Sequence, residues 1–371
     1  MNGTLVNAPT GGTKMGSEPK PTGRVDESDH LHDHQNQEKY APYVRSDSYG
    51  IQGRGEIPWT EKILLAVALV TLLPLRVAAA TTLLLLCYFT CRICTAFSAP
   101  NEQGNYAHLG GWRRKVIMTS GMFNARGILF AFGFYRIHHT RRRDQSYDDK
   151  GRTEEAGRAG VIVSNHVSYT DILYHMSSSF ASFVAKKSVA NLPLVGLISK
   201  CLGCIYVERE SKSPDLKGVS GAVNQRIQEA YQNKFFPMVI LFPEGTTTNG
   251  DFLLPFKTGA FVSNAPVHPV IIRYPYRRLS PAWESISGAR HLILLLCQFV
   301  NCMEVTWLPI YYPSQQEKED PKLYADNVRR FMAHEGSLIL SDSGLAEKRE
   351  YLTALNDYRS ICTVNNHQKE D

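Results

Sequence analysis

No large charge excess, no secretory core and no cysteine framework marks this chain. Its 41 Lys and Arg stand against 35 Asp and Glu, a net charge of +6 over 371 residues. That excess is too dilute to hold a polyanion, and none of the nucleic-acid recognition signatures occurs. Met1 to Lys20 lacks the apolar stretch of a secretory signal. The eight cysteines fall in mostly apolar contexts without the dense spacing of a secreted disulfide scaffold, so we expect them reduced and the protein cytosol-facing. Cys91-x2-Cys94 and Cys201-x2-Cys204 lie far apart among apolar neighbours, which argues against a shared zinc. Cys91 and Cys94 are candidates for reversible acylation instead. No EF-hand loop is present, and no Gly-x-Ser-x-Gly elbow offers a serine for an acyl-enzyme. With 20% charged and 43% hydrophobic residues, the composition excludes both wholesale disorder and a polytopic helix bundle.

What is there is segregated along the chain. Residues 1–58 are rich in Gly, Pro, Asp, Asn, His and Gln without helix or strand periodicity, so a disordered tail is expected, its His30-Leu31-His32-Asp33-His34 run solvated and free of metal. From Ile63 to Cys91 the only charge is Arg76. As a helix this run would be about 43 Å long, more than the roughly 30 Å hydrocarbon core of a bilayer. With Pro74 and Arg76 near its middle, it reads as one tilted span or as a re-entrant hairpin turning at Pro74, and residues 59–97 form the anchor. The next apolar stretch, Val116 to Tyr135, carries Asn124 and Arg126 at its centre. Because a mid-membrane arginine is costly, we expect a helix at the interface or packed on the first segment, with Gly121, Gly127 and Gly133 allowing close contact. Arg136 to Arg143 then makes a basic collar, either a solvated loop or an attractor of anionic headgroups, and closes a unit over 98–143.

From about Gly160 the texture becomes α/β. Val161 to Val163 and Val239 to Phe242 are β-branched runs ending in polar turns, with a helical window at Val219 to Gln232. Open α/β sheets place their sites at such carboxyl ends. Leu292 to Met303 is too short to span. The catalytic domain is set at 144–312, followed over 313–371 by a helical region and tail, with Gln315 to Asp320 a linker and the stretch past Leu355 a solvated end. Nothing specifies an oligomeric state.

The first of these strands runs into Asn165-His166-Val-Ser-Tyr-Thr-Asp171. In one continuous helix His166 and Asp171 would stand about 140° apart. With His166 in the loop and Asp171 in the first helical turn, the carboxylate can bend back to one imidazole nitrogen and leave the other to act as a general base; a satisfied structural histidine is the competing reading. The second strand ends in Phe242-Pro-Glu-Gly-Thr-Thr-Thr-Asn-Gly250. Pro243 and Gly245 make a tight turn, and Gly245, Thr246 and Thr247 offer donors suited to a phosphate, while Glu244 accepts from loop amides or from a substrate hydroxyl. Between them Gly203-Cys-Ile-Tyr-Val-Glu-Arg209 ends in a guanidinium that fits a phosphate or forms a surface ion pair.

Together these strings resemble the glycerophospholipid acyltransferase family over roughly residues 115 to 310. Asn165, His166 and Asp171 complete its Asn-His-x4-Asp motif, Gly203 to Arg209 is similar to its second motif, Phe242 to Thr246 is its Phe-Pro-Glu-Gly-Thr, and Val267 to Ile272 around Pro269 looks like the fourth. Thr247-Thr248-Asn249-Gly250 resembles the lysophosphatidylcholine and lysophosphatidylethanolamine branch, most of all its plant lysophosphatidylethanolamine members. Val207-Glu208 stands where Ile-Asp is common. The resemblance implies an α/β glycerolipid acyltransferase fold, a central mixed β-sheet flanked by helices behind N-terminal membrane helices. It implies a membrane-bound enzyme, in the endoplasmic reticulum with its catalytic domain at the cytosolic face, moving an acyl group from acyl-CoA, a co-substrate, to a lysophospholipid without cofactor or metal. His166 would be the base and Asp171 its orienting partner, with Asn165, Arg209, Glu244, Gly245 and Thr246 on the substrate. A noncatalytic lipid binder of the same fold, an acyl-CoA hydrolase and a lysophosphatidate or glycerol-3-phosphate acyltransferase are the alternatives.

Overall fold

Residues 38–142, 158–207, 215–233 and 236–367 are described by the structure, a computed structural model. The His30 to His34 run and Glu208 and Arg209 lie outside these residues. Helices α1 (Trp59–Val70) and α2 (Leu72–Cys94) meet at Thr71, where Pro74 removes the donor that would reach the Val70 carbonyl. Thr71 stays in the helical region (φ −103°, ψ −60°) and its N–H still donates to Val67 O at 3.0 Å, so the break is a kink in a rod and the hairpin at Pro74 does not form. Arg76 is buried and donates to the carbonyls of Leu296 and Phe299, each at 2.9 Å, and to Tyr135 Oη at 2.8 Å. Carbonyls clustered at a helix end carry partial negative charge. That answers the charge in the apolar run.

Helix α3 (Gly111–Ala131) packs along α2, and its glycines permit the approach. A Cβ on Gly127 would stand 2.9 Å from Leu83, and one on Gly121 2.0 Å from Phe180. Arg126, at the centre of the second apolar stretch, donates to Phe134 O and Tyr135 O at 3.0 and 2.7 Å, satisfying carbonyls just past the end of its own helix. Cys87, Cys91 and Cys94 recur at helical spacing and are buried on the inner face of α2, with Cys91 against Cys201. The expected acylation of Cys91 and Cys94 is therefore corrected: neither thiol is accessible.

The chain continues as β1 (Ile137–Arg141), β2 (Val161–Ser164), α4 (Thr170–Ser179), β3 (Ser182–Lys186), α5 (Val195–Leu202), β4 (Ile205–Val207), α6 (Asp215–Gln232), β5 (Val239–Leu241), β6 (Phe252–Leu253), β7 (Val267–Arg273), α7 (Gly288–Leu296), β8 (Met303–Trp307), α8 (Gln315–Glu319), α9 (Pro321–Gly336), β9 (Ile339–Leu340) and α10 (Leu345–His367). Seven strands form one mixed sheet in the order β1-β8-β7-β2-β5-β3-β4, antiparallel only between β7 and β8; β6 and β9 pair separately. Strand β2 lies at its centre, and successive residues alternate between two cores. Ile162 faces the layer of α2, α3, α4 and α7. Val161 and Val163 face the layer that holds Ile227 of α6 and Tyr324, Val328 and Met332 of α9.

Four readings expected from composition move. Residues 39–55 are no tail: Tyr43, Arg45 and Tyr49 are buried, and Arg45 lies between Asp47 and Glu284 while donating to Ala282 O at 2.7 Å. The basic collar is in part the edge strand β1, whose five residues pair in parallel with β8, so the sheet begins before residue 144. Gln315 to Asp320 contains α8, started by a reciprocal cap between Ser314 and Glu317. The stretch past Leu355 continues α10.

Candidate active site

At the end of β2 the chain leaves the sheet, and Asn165 fixes where it leaves. Its side-chain amide donates to Ile272 O at 2.9 Å and its carbonyl accepts from Ile272 N at 2.7 Å, so it staples β2 to β7. Both polar atoms are used on backbone and the residue is buried. Asn165 thus serves the scaffold, with both of its side-chain polar atoms engaged.

His166 follows in the loop and Asp171 lies in the first turn of α4, as the spacing requires. Nδ1 of His166 is 2.9 Å from Oδ2 of Asp171. The same oxygen accepts from Val167 N at 2.8 Å and Ser168 N at 2.9 Å, and Oδ1 accepts from the Tyr274 hydroxyl. Asp171 is 0% exposed; four donors around an acceptor-only group satisfy it as a carboxylate. The imidazole lies flat on Phe242, centroids 4.1 Å apart and planes 17° apart, with its side chain 19% exposed. Among the described residues none bonds Nε2. On the far side of Phe242 sits His175, wholly buried, whose pKa burial lowers to about 4, which keeps it neutral.

The second loop is tied to the first. Glu244 accepts His166 N at 2.8 Å on one oxygen and Leu254 N at 3.0 Å on the other, and Thr248 N donates to His166 O at 3.0 Å. Of the two roles open to Glu244 the geometry shows the one on the loop amides; buried at 3% exposure, it braces His166. Burial pushes its carboxyl up to about 8 while the two amides hold it down. Gly245 turns at φ +74°, and a Cβ there would stand 2.4 Å from Lys257 Nζ, so an exposed ammonium lies over the turn. Gly245 and Thr246 are only half-buried.

Thr247, Thr248 and Asn249 face inward. Thr247 Oγ1 donates to Trp283 O and accepts from buried Lys348 at 2.8 Å. Asn249 donates to Ala41 O at 2.9 Å and Val44 O at 3.1 Å. Tyr274, Lys257 and Lys348 were missed in the sequence reading. A tyrosine one residue past β7 carries no signal by itself, whereas Lys257 stands in Pro255-Phe256-Lys257, a few residues after the Phe242 to Gly250 loop.

The arrangement holds the His166 imidazole by one nitrogen and leaves the other without a described partner, in a loop tied to the Phe242 to Gly250 turn through Glu244 and Thr248. Residues 139–273 match the family pattern described as Acyltransferase. The lysophospholipid acyltransferase LPEAT1 of Arabidopsis thaliana is 58% identical over 360 residues, 90% of each chain. The chain belongs to the lysophospholipid acyltransferase family. Human lysophosphatidylcholine acyltransferase 1 is 32% identical over 287 residues, 76% of this acyltransferase and 50% of its own length. A crystal structure of the 1-acyl-sn-glycerophosphate acyltransferase PlsC from Thermotoga maritima covers 71% of this chain and 98% of that one, at 17% identity and a TM-score of 0.41. For this acyltransferase the joined His166 and Asp171 are what an enzyme needs, and a lipid binder of the same fold is not favoured.

Proposed function

We propose that the enzyme transfers a fatty acyl group from acyl-CoA to the free hydroxyl of lysophosphatidylethanolamine or lysophosphatidylcholine. The 2.9 Å bond between His166 Nδ1 and Asp171 carries the reading. It fixes the tautomer that leaves Nε2 unprotonated, and the carboxylate stabilises the imidazolium formed when Nε2 takes the hydroxyl proton. The alkoxide oxygen attacks the thioester carbonyl and CoA leaves as thiolate, so no protein nucleophile and no metal is needed. Arg209, Gly245 and Thr246 bind the phosphate of the lysolipid, joined by Lys257 above the turn. The ethanolamine or choline headgroup is supported by the names of the relatives alone.

The enzyme sits in a membrane, with its site at the cytosolic face of the endoplasmic reticulum. Among the described residues α2 is long and apolar enough to cross a bilayer by length and composition. Val67, Val70, Leu75, Val77, Leu86 and Phe89 form an exposed apolar surface along α1 and α2, larger than a water-soluble surface tolerates. Acyl-CoA is cytosolic and a lysolipid stays in one leaflet, which puts His166 at that interface.

Transfer of labelled acyl groups by purified membranes across a panel of lysolipids tests the reaction. Acylated product on the ethanolamine or choline lysolipid, lost in His166→Ala, is expected; release of free fatty acid alone would make the protein a hydrolase. Cysteines introduced at Lys115 and Arg142, with Cys302 replaced, should both label from outside sealed microsomes. Protection of one of them would make α3 a true span.

A further inference from the structure

Orienting an imidazole occupies one oxygen of Asp171; here the other is held as well. Oδ2 already takes His166 Nδ1 and the N–H groups of Val167 and Ser168. Oδ1 points into the interior, where it meets Tyr274, the residue after β7. The Tyr274 ring belongs to the core, edge-on to Phe134 with centroids 5.8 Å apart. Among the described residues its hydroxyl has two hydrogen-bond partners, Asp171 Oδ1 and Thr170 Oγ1, the latter at 2.7 Å. With Tyr274 donating to the carboxylate, Thr170 is left to donate to Tyr274, and the hydroxyl hydrogen has one place to go.

We infer that Tyr274 is a positioning residue of the catalytic pair, its hydroxyl clamping the outer oxygen of Asp171 so that the inner oxygen stays on His166 Nδ1 while Nε2 gains and loses its proton. The inference rests on the proposed role of His166 and Asp171. A carboxylate turns easily about its last torsion, which is broad and two-fold. Two amides and one imidazole on a single oxygen do not stop that rotation as a donor on the opposite oxygen does. A buried oxygen without a donor would also carry the desolvation cost of its charge. Burial and the neighbouring Asp171 charge raise the tyrosine pKa well above its ordinary value, so the donor keeps its proton. Thr170 Oγ1, Tyr274 Oη, Asp171 and His166 thereby form one chain, three of its members from α4 and its loop and Tyr274 from just past the fourth motif's strand. That strand end is held to the His166 loop by the Asn165 staple.

Tyr274→Phe keeps the ring and removes the hydroxyl, and Thr170→Val removes only the donor that aims it. In Tyr274→Phe, kcat should fall about 10- to 100-fold, the equivalent of one hydrogen bond to a charged group, with KM within about two-fold. Thr170→Val should lower kcat by less. The decisive measurement is the cycle with Asp171→Asn, which weakens the tautomer preference without removing the base. Tyr274→Phe should cost almost nothing further in that background. Losses that multiply, a rise in KM with kcat unchanged, or wild-type kinetics in Tyr274→Phe would each overturn the inference. His166→Ala run beside them separates the failures: an active His166→Ala removes the catalytic reading itself, whereas an inactive one with a fully active Tyr274→Phe removes the clamp alone.

Discussion

Two loops meet at the site, and they are held in opposite ways. In the loop from Asn165 to Asp171 the carboxylate closes on amides and an imidazole three to five residues back, with Asn165, Glu244 and Tyr274 bracing that local closure from other elements. The loop from Phe242 to Gly250 depends on distant chain, with Asn249 bonded to carbonyls more than 200 residues earlier and Thr247 to an ammonium 101 residues later. Local closure makes a reactive group legible and cheap to order. Distant closure makes a binding loop answer to the stability of the whole fold.

The largest expected effect strikes the locally closed loop. His166→Ala should lower acyl transfer by about 10²- to 10⁴-fold, the usual contribution of a general base. Its melting temperature should stay near wild type, because the ring is partly exposed, stacks on Phe242 and is tied to the fold by a single hydrogen bond. Rate and thermal unfolding measured on the same preparation check this, and a mutant that unfolds would mean the loop is less independent than its contacts suggest. Arg45→Met strikes the other loop from behind. It leaves Asp47 and Glu284 buried together, a loss of about 3–5 kcal/mol, and should be read first as reduced protein level and earlier denaturant unfolding.

The same contrast explains what could be read in advance. The His166 and Asp171 pair was legible because its partners are neighbours in sequence and a five-residue spacing excludes a helix. Val161 to Val163 was legible as a β-branched run, whereas the alternation of its residues between two cores appears only in the structure. Asn165 and Glu244 were assigned to substrate because their true partners, Ile272 N and O and Leu254 N, depend on which strands and loops lie side by side. The segment 39–55 was lost in the average over 1–58: Tyr43, Arg45 and Tyr49 are few among polar neighbours, and partners far along the chain give them a place, Gly344 O for Tyr43, Glu284 for Arg45 and Gln298 for Tyr49. The branch-marking Thr247-Thr248-Asn249 string proves to be a scaffold that sets the loop's shape through ties to Trp283, Lys348, Ala41 and Val44.

Asn249→Ala sharpens the comparison at smaller cost. It removes the side-chain donor to Ala41 O and Val44 O but leaves the Asn249 N–H on Pro42 O at 2.8 Å. A loss of about 1–3 kcal/mol is expected from two carbonyls left short of a partner, together with a rise in KM for the lysolipid larger than any fall in kcat, since the loop it loosens binds and does not react. An unchanged KM would mean that the N-terminal segment supports the fold without shaping the site.

The smallest effect is a pH dependence carried by Lys348. Burial lowers its pKa from 10.5 to about 8, while its ammonium donates to Thr247 O at 2.7 Å. Between about 8 and 10.5 the unfolded chain keeps a proton that the folded chain has released. Stability therefore rises with pH across that window, and the full penalty of the buried charge is present below about 8. Lys348→Met deletes the titration and the penalty together, though it also deletes the bonds to Thr247. Denaturant unfolding of wild type and variant at pH 7 and pH 9.5 checks the sign: wild type should gain on the variant as pH rises. A gap that stays constant would place the Lys348 proton on the same footing in both states, and the distant tie on Thr247 would then be an ordinary ammonium contact.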